Sequence, residues 1–204
     1  MSLELIKKYF TPKTILDIGA NNGQFYNESK NIFPDSYFLL IEGNGYCEPA
    51  LKTLGVDYKI SLLSDSVKEV DFYLRRQEYT CTGNSIYREK TSFYDDNEIV
   101  IEKKKTDTLS NVLGQQYFDL IKIDVQGSEI DIIIGGLDII NNCKGLLMEV
   151  SLEEYNEGSP TIEFVDDFMK NLNFEKVEII NKLNHPIKHT LIQQDVLYIN
   201  KNIL

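Results

Sequence analysis

T-I-L-D-I-G-A-N-N-G-Q-F, Thr14 to Phe25, decides the fold of this chain. A short apolar run ends in an acid, two glycines bracket three small or polar residues, and an amphipathic segment follows. That order reads as a strand, a glycine-rich turn and a helix start, an arrangement that holds nucleotide-like cofactors. Asp17 narrows the chemistry: an acid at the carboxyl end of the strand suits a ligand with a positive amino group and repels a pyrophosphate. S-adenosylmethionine carries such an ammonium and no phosphate, so the stretch points to methyl transfer before hydride transfer. Gly19 is expected where a Cβ would obstruct close approach of backbone to ligand. Gly23 would open a helix facing the cofactor's carboxylate. Ala20, Asn21 and Asn22 complete the expected cofactor turn, the asparagines tolerating tight backbone and supplying hydrogen bonds.

The rest of the chain alternates in the same way. Strands are expected at Thr14 to Ile18, Ser36 to Glu42, Tyr58 to Leu63, Phe118 to Asp124, Lys144 to Val150, Phe174 to Ile180 and Asp195 to Asn200. Helical patterning covers Leu3 to Phe10, Gly23 to Phe33, Cys47 to Leu54, Ser128 to Asn141 and Thr161 to Leu172. Period-two patterning at Glu69 to Arg75 and Glu98 to Lys104 interrupts the alternation and reads as an antiparallel insertion, about 66–106, with a polar, Tyr-rich loop. Continuous Val/Ile/Leu runs mark strands covered on both faces. The expected fold is therefore α/β: one domain over 1–204, a doubly wound, mostly parallel seven-strand sheet with an antiparallel last strand.

Composition sets outer bounds. The chain has 204 residues, 42% hydrophobic, enough for one full core. Its formal net charge is −11, a field that repels a nucleic-acid backbone, so no nucleic-acid partner is expected. Arg75-Arg76 and Lys103-Lys104-Lys105 run against that trend. They read either as solvated or edge-strand charge or as a small basic rim for an acidic substrate. No apolar stretch is long enough to span a bilayer and no signal-peptide pattern opens the chain, so no membrane partner is expected. Cys47, Cys81 and Cys143 are far apart and odd in number, and read as reduced thiols of a cytoplasmic protein.

Three further strand ends carry candidate chemistry. Glu42 lies nineteen positions after Gly23, where an acid can accept from both hydroxyls of an adenosine ribose. Ser64-Asp65 ends the third strand, where an adenine amino group could be met, although Ser-Asp-Ser is also ordinary turn chemistry. I-K-I-D-V-Q-G-S-E, Ile121 to Glu129, brings Asp124 to the reacting centre, with Glu149 on the adjacent strand facing the same crevice. Two such acids could raise each other's pKa or share a divalent metal; a metal is possible on these residues but not predicted. Asp124 is the first candidate for general base and Glu149 the second, against the plainer reading that Asp124 only orders the crevice. Ser128 could cap the helix that Glu129 helps start. His185 and His189 have four-residue spacing broken by Pro186 and read as loop polarity. Tyr79, Asn84, Ser85, Tyr87, Phe93 and Tyr94 enrich the insertion in groups that can stack on and hydrogen-bond a sugar, or equally pack the insertion onto its own domain.

From Thr14 to Asn200 the sequence resembles the FkbM-type S-adenosylmethionine-dependent methyltransferases. The resemblance is carried by the lysine, aspartate, glycine and glutamate of Ile121 to Glu129, D-I-G-A-N-N-G at Asp17 to Gly23, T-G-N-S-I-Y-R at Thr82 to Arg88 and D-V-L-Y-I at Asp195 to Ile199. Two departures stand out: Glu42-Gly43-Asn44 where relatives often show Glu-Pro, and Thr108-Leu109-Ser110 where they tend to show Thr-Leu-Asp. Serine can cap a helix as aspartate does, so a structural consequence at most is expected there. The resemblance implies S-adenosylmethionine as cofactor and O-methylation of a small saccharide, polyol or natural-product hydroxyl. It also implies that Asn84, Ser85 and Tyr87 lie in the substrate-facing insertion loop. The competing readings are a nicotinamide-dependent oxidoreductase, weakened by the absence of G-x-G-x-x-G, and a cofactor-binding module without chemistry.

Overall fold

The computed structural model describes residues 2–76, 78–90, 96–184 and 189–204. Nine strands are assigned among them: β1 Thr14–Ile18, β2 Tyr37–Glu42, β3 Asp57–Ile60, β4 Glu69–Arg75, β5 Ile99–Lys105, β6 Leu120–Ile123, β7 Gly145–Ser151, β8 Phe174–Asn184 and β9 Leu191–Asn200. Six short helices connect them: α1 Gln24–Ser29, α2 Glu48–Lys52, α3 Leu109–Leu113, α4 Glu129–Ile134, α5 Leu137–Ile140 and α6 Ile162–Asn171. The main sheet runs β3-β2-β1-β6-β7-β9-β8, and β4 pairs with β5 in a separate antiparallel ribbon. β9 is antiparallel to both of its neighbours and the remaining main-sheet pairs are parallel. The expected α/β architecture, including the antiparallel last strand and the insertion, is the one observed. Among the described residues no helix is long and apolar enough to cross a membrane.

Alternation of side chains builds two cores, one on each face of the sheet. Ile18, Ile41, Ile123, Met148 and Val196 belong to one cluster. Ile15, Leu40, Leu120, Leu147 and Leu197 belong to the other. The two-sided burial explains why β1, β2, β6 and β7 are nearly continuous apolar runs rather than alternating ones.

Several boundaries differ from the sequence expectation, each for a local reason. The helix read across Ser128 to Asn141 is broken into α4 and α5 at Gly135-Gly136. A Cβ on Gly135 would lie 2.2 Å from the Ser64 carbonyl oxygen, and one on Gly136 would lie 2.7 Å from Leu109 Cβ and Cδ2. The helix pair is therefore pressed against the third strand-end loop and α3. The segment Leu3–Lys8 is a 3₁₀ helix, and α3 is capped by Thr108, whose side chain accepts from Asn111 N–H, while Ser110 Oγ bonds Asp138 instead. β9 begins four residues earlier than expected, at Leu191, so Gln193 and Gln194 are strand residues. Lys103 pairs with Asp71 at 2.7 Å and Lys104 lies over the Phe72 ring, as edge charge should, whereas Arg75 turns toward Glu89 at 3.9 Å. All three cysteines are unpaired.

Gly135→Ala tests the helix break. The φ of −70° at Gly135 suits any residue, so what opposes a methyl group is the main chain of Ser64 and Asp65. Overpacking of this kind costs about 1–3 kcal/mol, which urea or thermal unfolding should show as a loss of stability.

Candidate active site

The carboxyl ends of the parallel strands meet in one register. Ile18 lies beside Ile41 and Ile123, and Ile123 beside Met148. One residue further on, Glu42, Gly19, Asp124 and Glu149 therefore come level. Asp195 pairs with Glu149 across β7 and β9, and Asn181 pairs with Asp195 across β9 and β8. A polar row thus crosses six strands directly above an apolar one. It lies along a cavity of about 670 Å³, which Glu42, Gly19, Asp124, Glu149, Asp195 and Asn181 all line.

Gly19 is compulsory for an internal reason. Its φ is +82°, and a Cβ there would lie 1.8 Å from the Asp124 carbonyl oxygen. The expected obstruction was to a ligand; the one found is to the end of β6. Gly23, at φ +81°, would bring a Cβ within 2.2 Å of Leu54 Cδ1, so this glycine seats α1 against the helix after β2. Gly23 does not line the cavity, and α1 is only six residues long. Ala20, Asn21 and Asn22 do line it. Asn21 adopts φ +49°, and its N–H donates to Glu42 Oε2 at 2.7 Å. Glu42 Oε1 accepts from Asn44 N–H, also at 2.7 Å. Burial raises the pKa of Glu42 while these two backbone donors oppose the rise. Each carboxylate oxygen keeps lone-pair capacity toward the cavity.

Asp17 is the main correction. It is fully buried, does not line the cavity, and neither of its oxygens has a hydrogen-bond partner among the described residues. Its cross-strand neighbour is Lys122, whose ammonium lies 3.7 Å from Asp17 and 3.1 Å from Asp124. Burial pushes Asp17 up to about 6 against the opposing charge of Lys122. For Lys122, burial works to lower the pKa, but Asp124 and Asp17 outweigh it and raise it. Asp17 therefore meets Lys122 beneath the cavity and does not face the cavity itself.

The Asp124 loop is held from below. Glu129 is buried and accepts N–H bonds from Val125 and Gly127 at 3.1 Å; burial pushes its pKa to about 7 against those donors. Ser128 makes no side-chain cap, and the Glu129 carboxylate turns back to the loop before the helix. Gln126, at φ +59°, spans the two acids: its Nε2 donates to Asp124 Oδ1 at 3.1 Å and to Glu149 Oε2 at 2.5 Å. Gln193 Nε2 adds a second contact to Glu149 at 3.0 Å. Burial, then the Asp124 charge, holds Glu149 well above the usual carboxylate range. Among the described residues no group of three or more His, Cys, Asp or Glu side chains is placed to hold a metal ion.

The insertion roofs the cleft. The Tyr79 carbonyl accepts from Asn44 and Asn84, the Thr80 carbonyl accepts from Asn21, and the Tyr46 and Tyr79 rings stack at 4.8 Å. Ser85 Oγ donates to the Gln126 carbonyl at 2.8 Å. Asn84 and Ser85 line the cavity, but with these polar groups engaged. Tyr87 does not line it, since its hydroxyl donates to Asp131 on α4. Ser64 and Asp65 are also turned away: Asp65 pairs with Lys68 at 2.5 Å, and Ser61, Leu62 and Leu63 face the cavity instead. His189 is described and does not line the cavity, while His185, Pro186, Phe93 and Tyr94 lie outside the described residues. Lys122, Gln126, Asn181, Gln193, Gln194 and Asp195 were assigned no role from the sequence. The Q-Q-D run before V-L-Y-I was the visible signal for the last three.

The Methyltransferase FkbM domain profile matches residues 17–176. The 2-O-methyltransferase NoeI of Sinorhizobium fredii (strain NBRC 101917 / NGR234) is 25% identical over 171 residues, 76% of this chain and 70% of that protein. Among solved structures, Sp1610 of Streptococcus pneumoniae, a candidate tRNA (m1A22) methyltransferase, matches with a TM-score of 0.53 and 10% identity over 97% of this chain and 68% of that one. The precorrin-6y C5,15-methyltransferase of Geobacter metallireducens GS-15 gives 0.51 and 10% over 97% and 85%. At such identities these two likenesses are to the fold.

Lys122→Met should cost about 3–5 kcal/mol, because it strips the cation from a buried carboxylate. The pH dependence has a fixed sign. The pKa of Asp17 is raised in the fold to about 6 from its ordinary 3.8, so the stability it allows is intact at low pH and lost as pH rises through 6. Without Lys122 that pKa rises further, so the variant's deficit in Tm should be largest near pH 8 and shrink below pH 6.

Proposed function

The chain belongs to the FkbM methyltransferase family, and we propose that it moves a methyl group from S-adenosylmethionine to a hydroxyl of a small saccharide, polyol or similar acceptor. The observation that carries this reading is the polar row above the apolar floor: Glu42 and the Gly19 turn at one end, two tethered acids at the centre. The residues fit the cofactor. Glu42 offers lone pairs to ribose hydroxyls at the end of β2. The lining holds six carboxylates against Lys122 and Arg75, which favours a sulfonium and an ammonium over a pyrophosphate. The third strand-end contact falls to Ser61, Leu62 and Leu63, in place of Ser64 and Asp65.

When bound, S-adenosylmethionine supplies a sulfonium methyl whose C–S bond breaks as the acceptor oxygen forms the new O–C bond, leaving S-adenosylhomocysteine. The residues must then orient the hydroxyl and take its proton. Orientation of a well-placed pair is worth roughly 7–11 kcal/mol, and a general base adds about 10²–10⁴-fold. Glu149 suits the base role because burial and the neighbouring Asp124 charge raise its pKa well above the usual carboxylate range, which makes it the more basic carboxylate of the pair. Asp124, bound by Lys122 and Gln126, fixes the geometry beside it. The assignment reverses the order of candidates drawn from sequence. The relative's printed name, a 2-O-methyltransferase, supports an oxygen acceptor.

Thermal unfolding with S-adenosylhomocysteine tests the cofactor. At one hundred times its Kd the ligand should stabilise the fold by about 2.7 kcal/mol, roughly 5–10 °C for a domain of this size. A rise with NAD alone would sink the reading. The base is tested by pH profiles of turnover. Glu149→Gln should lose about 10²–10⁴-fold. Asp124→Asn should move the acid limb to lower pH, because removing that charge lowers the pKa of Glu149. An unmoved limb in Asp124→Asn would assign the proton to another group.

A further inference from the structure

Building on the methyltransferase reading above, we propose that the end of β8 and β9 is the subsite for the non-reacting part of the acceptor. Gln194 and Asp195 would hold hydroxyl donors of an uncharged saccharide there, and phosphorylated acceptors would be excluded. The two ends of the cavity differ in what they leave open. At the β1–β2 end, the glycine turn and Glu42 are already tied to one another and to the insertion. At the β8–β9 end, Gln194 lines the cavity, is only 7% exposed, and its Oε1 has no hydrogen-bond partner among the described residues. A buried amide oxygen without a donor costs the fold unless something supplies one. Residues retained at such a cost mark a place where a ligand completes the bonding.

Register gives that place its dimensions. Asp124, Glu149, Asp195 and Asn181 follow one another across β6, β7, β9 and β8. At about 4.8 Å per strand the row spans roughly 14 Å, longer than one pyranose ring. An acceptor whose reacting hydroxyl sits near Asp124 and Glu149 therefore extends along the row toward Asp195, with Gln194, opposite Val150 on the other face of β9, lining the cavity next to it. The groups it meets there are mainly acceptors: the Gln194 oxygen and the Asp195 carboxylate, with Glu149 beside them. Burial, then the Asp124 charge, raises the pKa of Asp195, and this carboxyl also faces Lys122 and Asn181. A ligand rich in O–H donors satisfies this wall. A phosphate or carboxylate brings no donors and meets six lining carboxylates against two cations.

The test is release of S-adenosylhomocysteine from labelled S-adenosylmethionine, with methyl glycosides of neutral hexoses and their disaccharides, the matching 6-phosphates, and a tRNA transcript as acceptors. The proposal expects turnover of neutral glycosides at a kcat/KM at least ten-fold above that of the phosphates, and none with the transcript. Gln194→Met should raise the acceptor KM roughly ten-fold, the loss of one hydrogen bond, with kcat and the affinity for S-adenosylhomocysteine little changed and Tm not lowered. Asp195→Asn, close to isosteric, provides the second variant and should raise the same KM if Gln194→Met unfolds. Equal use of phosphates, methylation of the transcript, an unmoved KM in both variants, or no neutral glycoside used would each overturn the subsite. Binding of S-adenosylhomocysteine by the same protein shows whether the cofactor reading fails with it or stands alone.

Discussion

One buried ammonium organises the cavity end of the sheet. Lys122 lies between Asp17, which has no other polar partner, and Asp124, which faces the cavity. Attraction across about 4 Å is worth roughly 4 kcal/mol at an effective dielectric near 20. Withdrawing each ion from water costs several kcal/mol. The triad therefore adds little net stability, and its effect is positional: a fixed cation directs one carboxylate upward and a buried carboxylate keeps that cation in place. The constraint passes upward from there. Asp124 receives a second donor from Gln126, Gln126 shares its amide with Glu149, and Glu129 holds the intervening main chain.

The strand-turn-helix stretch made the doubly wound fold legible, because local periodicity and the two glycines carry it without reference to distant contacts. What local pattern does not contain is register between strands far apart in sequence. Asp17 and Lys122 are 105 positions apart in the chain and direct neighbours in the sheet. Without that pairing, an acid at the end of β1 reads as a ligand contact; with it, the acid is the counter-ion of a floor lysine. The same gap hid the polar row, whose members come from six strands. Gln193 and Gln194 were missed for a different reason. Their polarity argued for a loop, but both are buried and the cavity wall accounts for them.

The residues whose sequence roles did not survive share one trait. Ser64 and Asp65 follow β3 by four and five residues and Tyr87 sits in the insertion, but Ser64 bonds Asp65, Asp65 pairs with Lys68 and Tyr87 bonds Asp131. Sequence position fixes which end of a sheet a residue occupies; it does not fix which way a side chain in an irregular segment turns. Asn84 and Ser85 are intermediate. They reach the cavity and yet make bonds that tie the insertion to β4 and to the Asp124 loop. Their first role is to close the roof over the cleft.

A one-residue slip of any central strand would exchange its two faces and dismantle this arrangement. The structure resists slippage most where β1 and β6 end together. With a Cβ at position 19 the Asp124 carbonyl would be 1.8 Å away, so the two main chains approach as closely as glycine alone permits. Beside that approach, Gly19 N–H and Ala20 N–H bond the Ile41 carbonyl of β2, and Asp124 N–H bonds the Ile18 carbonyl of β1. The ladder is thus carried past the assigned ends of the strands. The turn and the Asp124 loop are consequently one hydrogen-bonded unit. The residue expected to make room for a ligand instead locks two strands in register, and the row of acids follows from that lock.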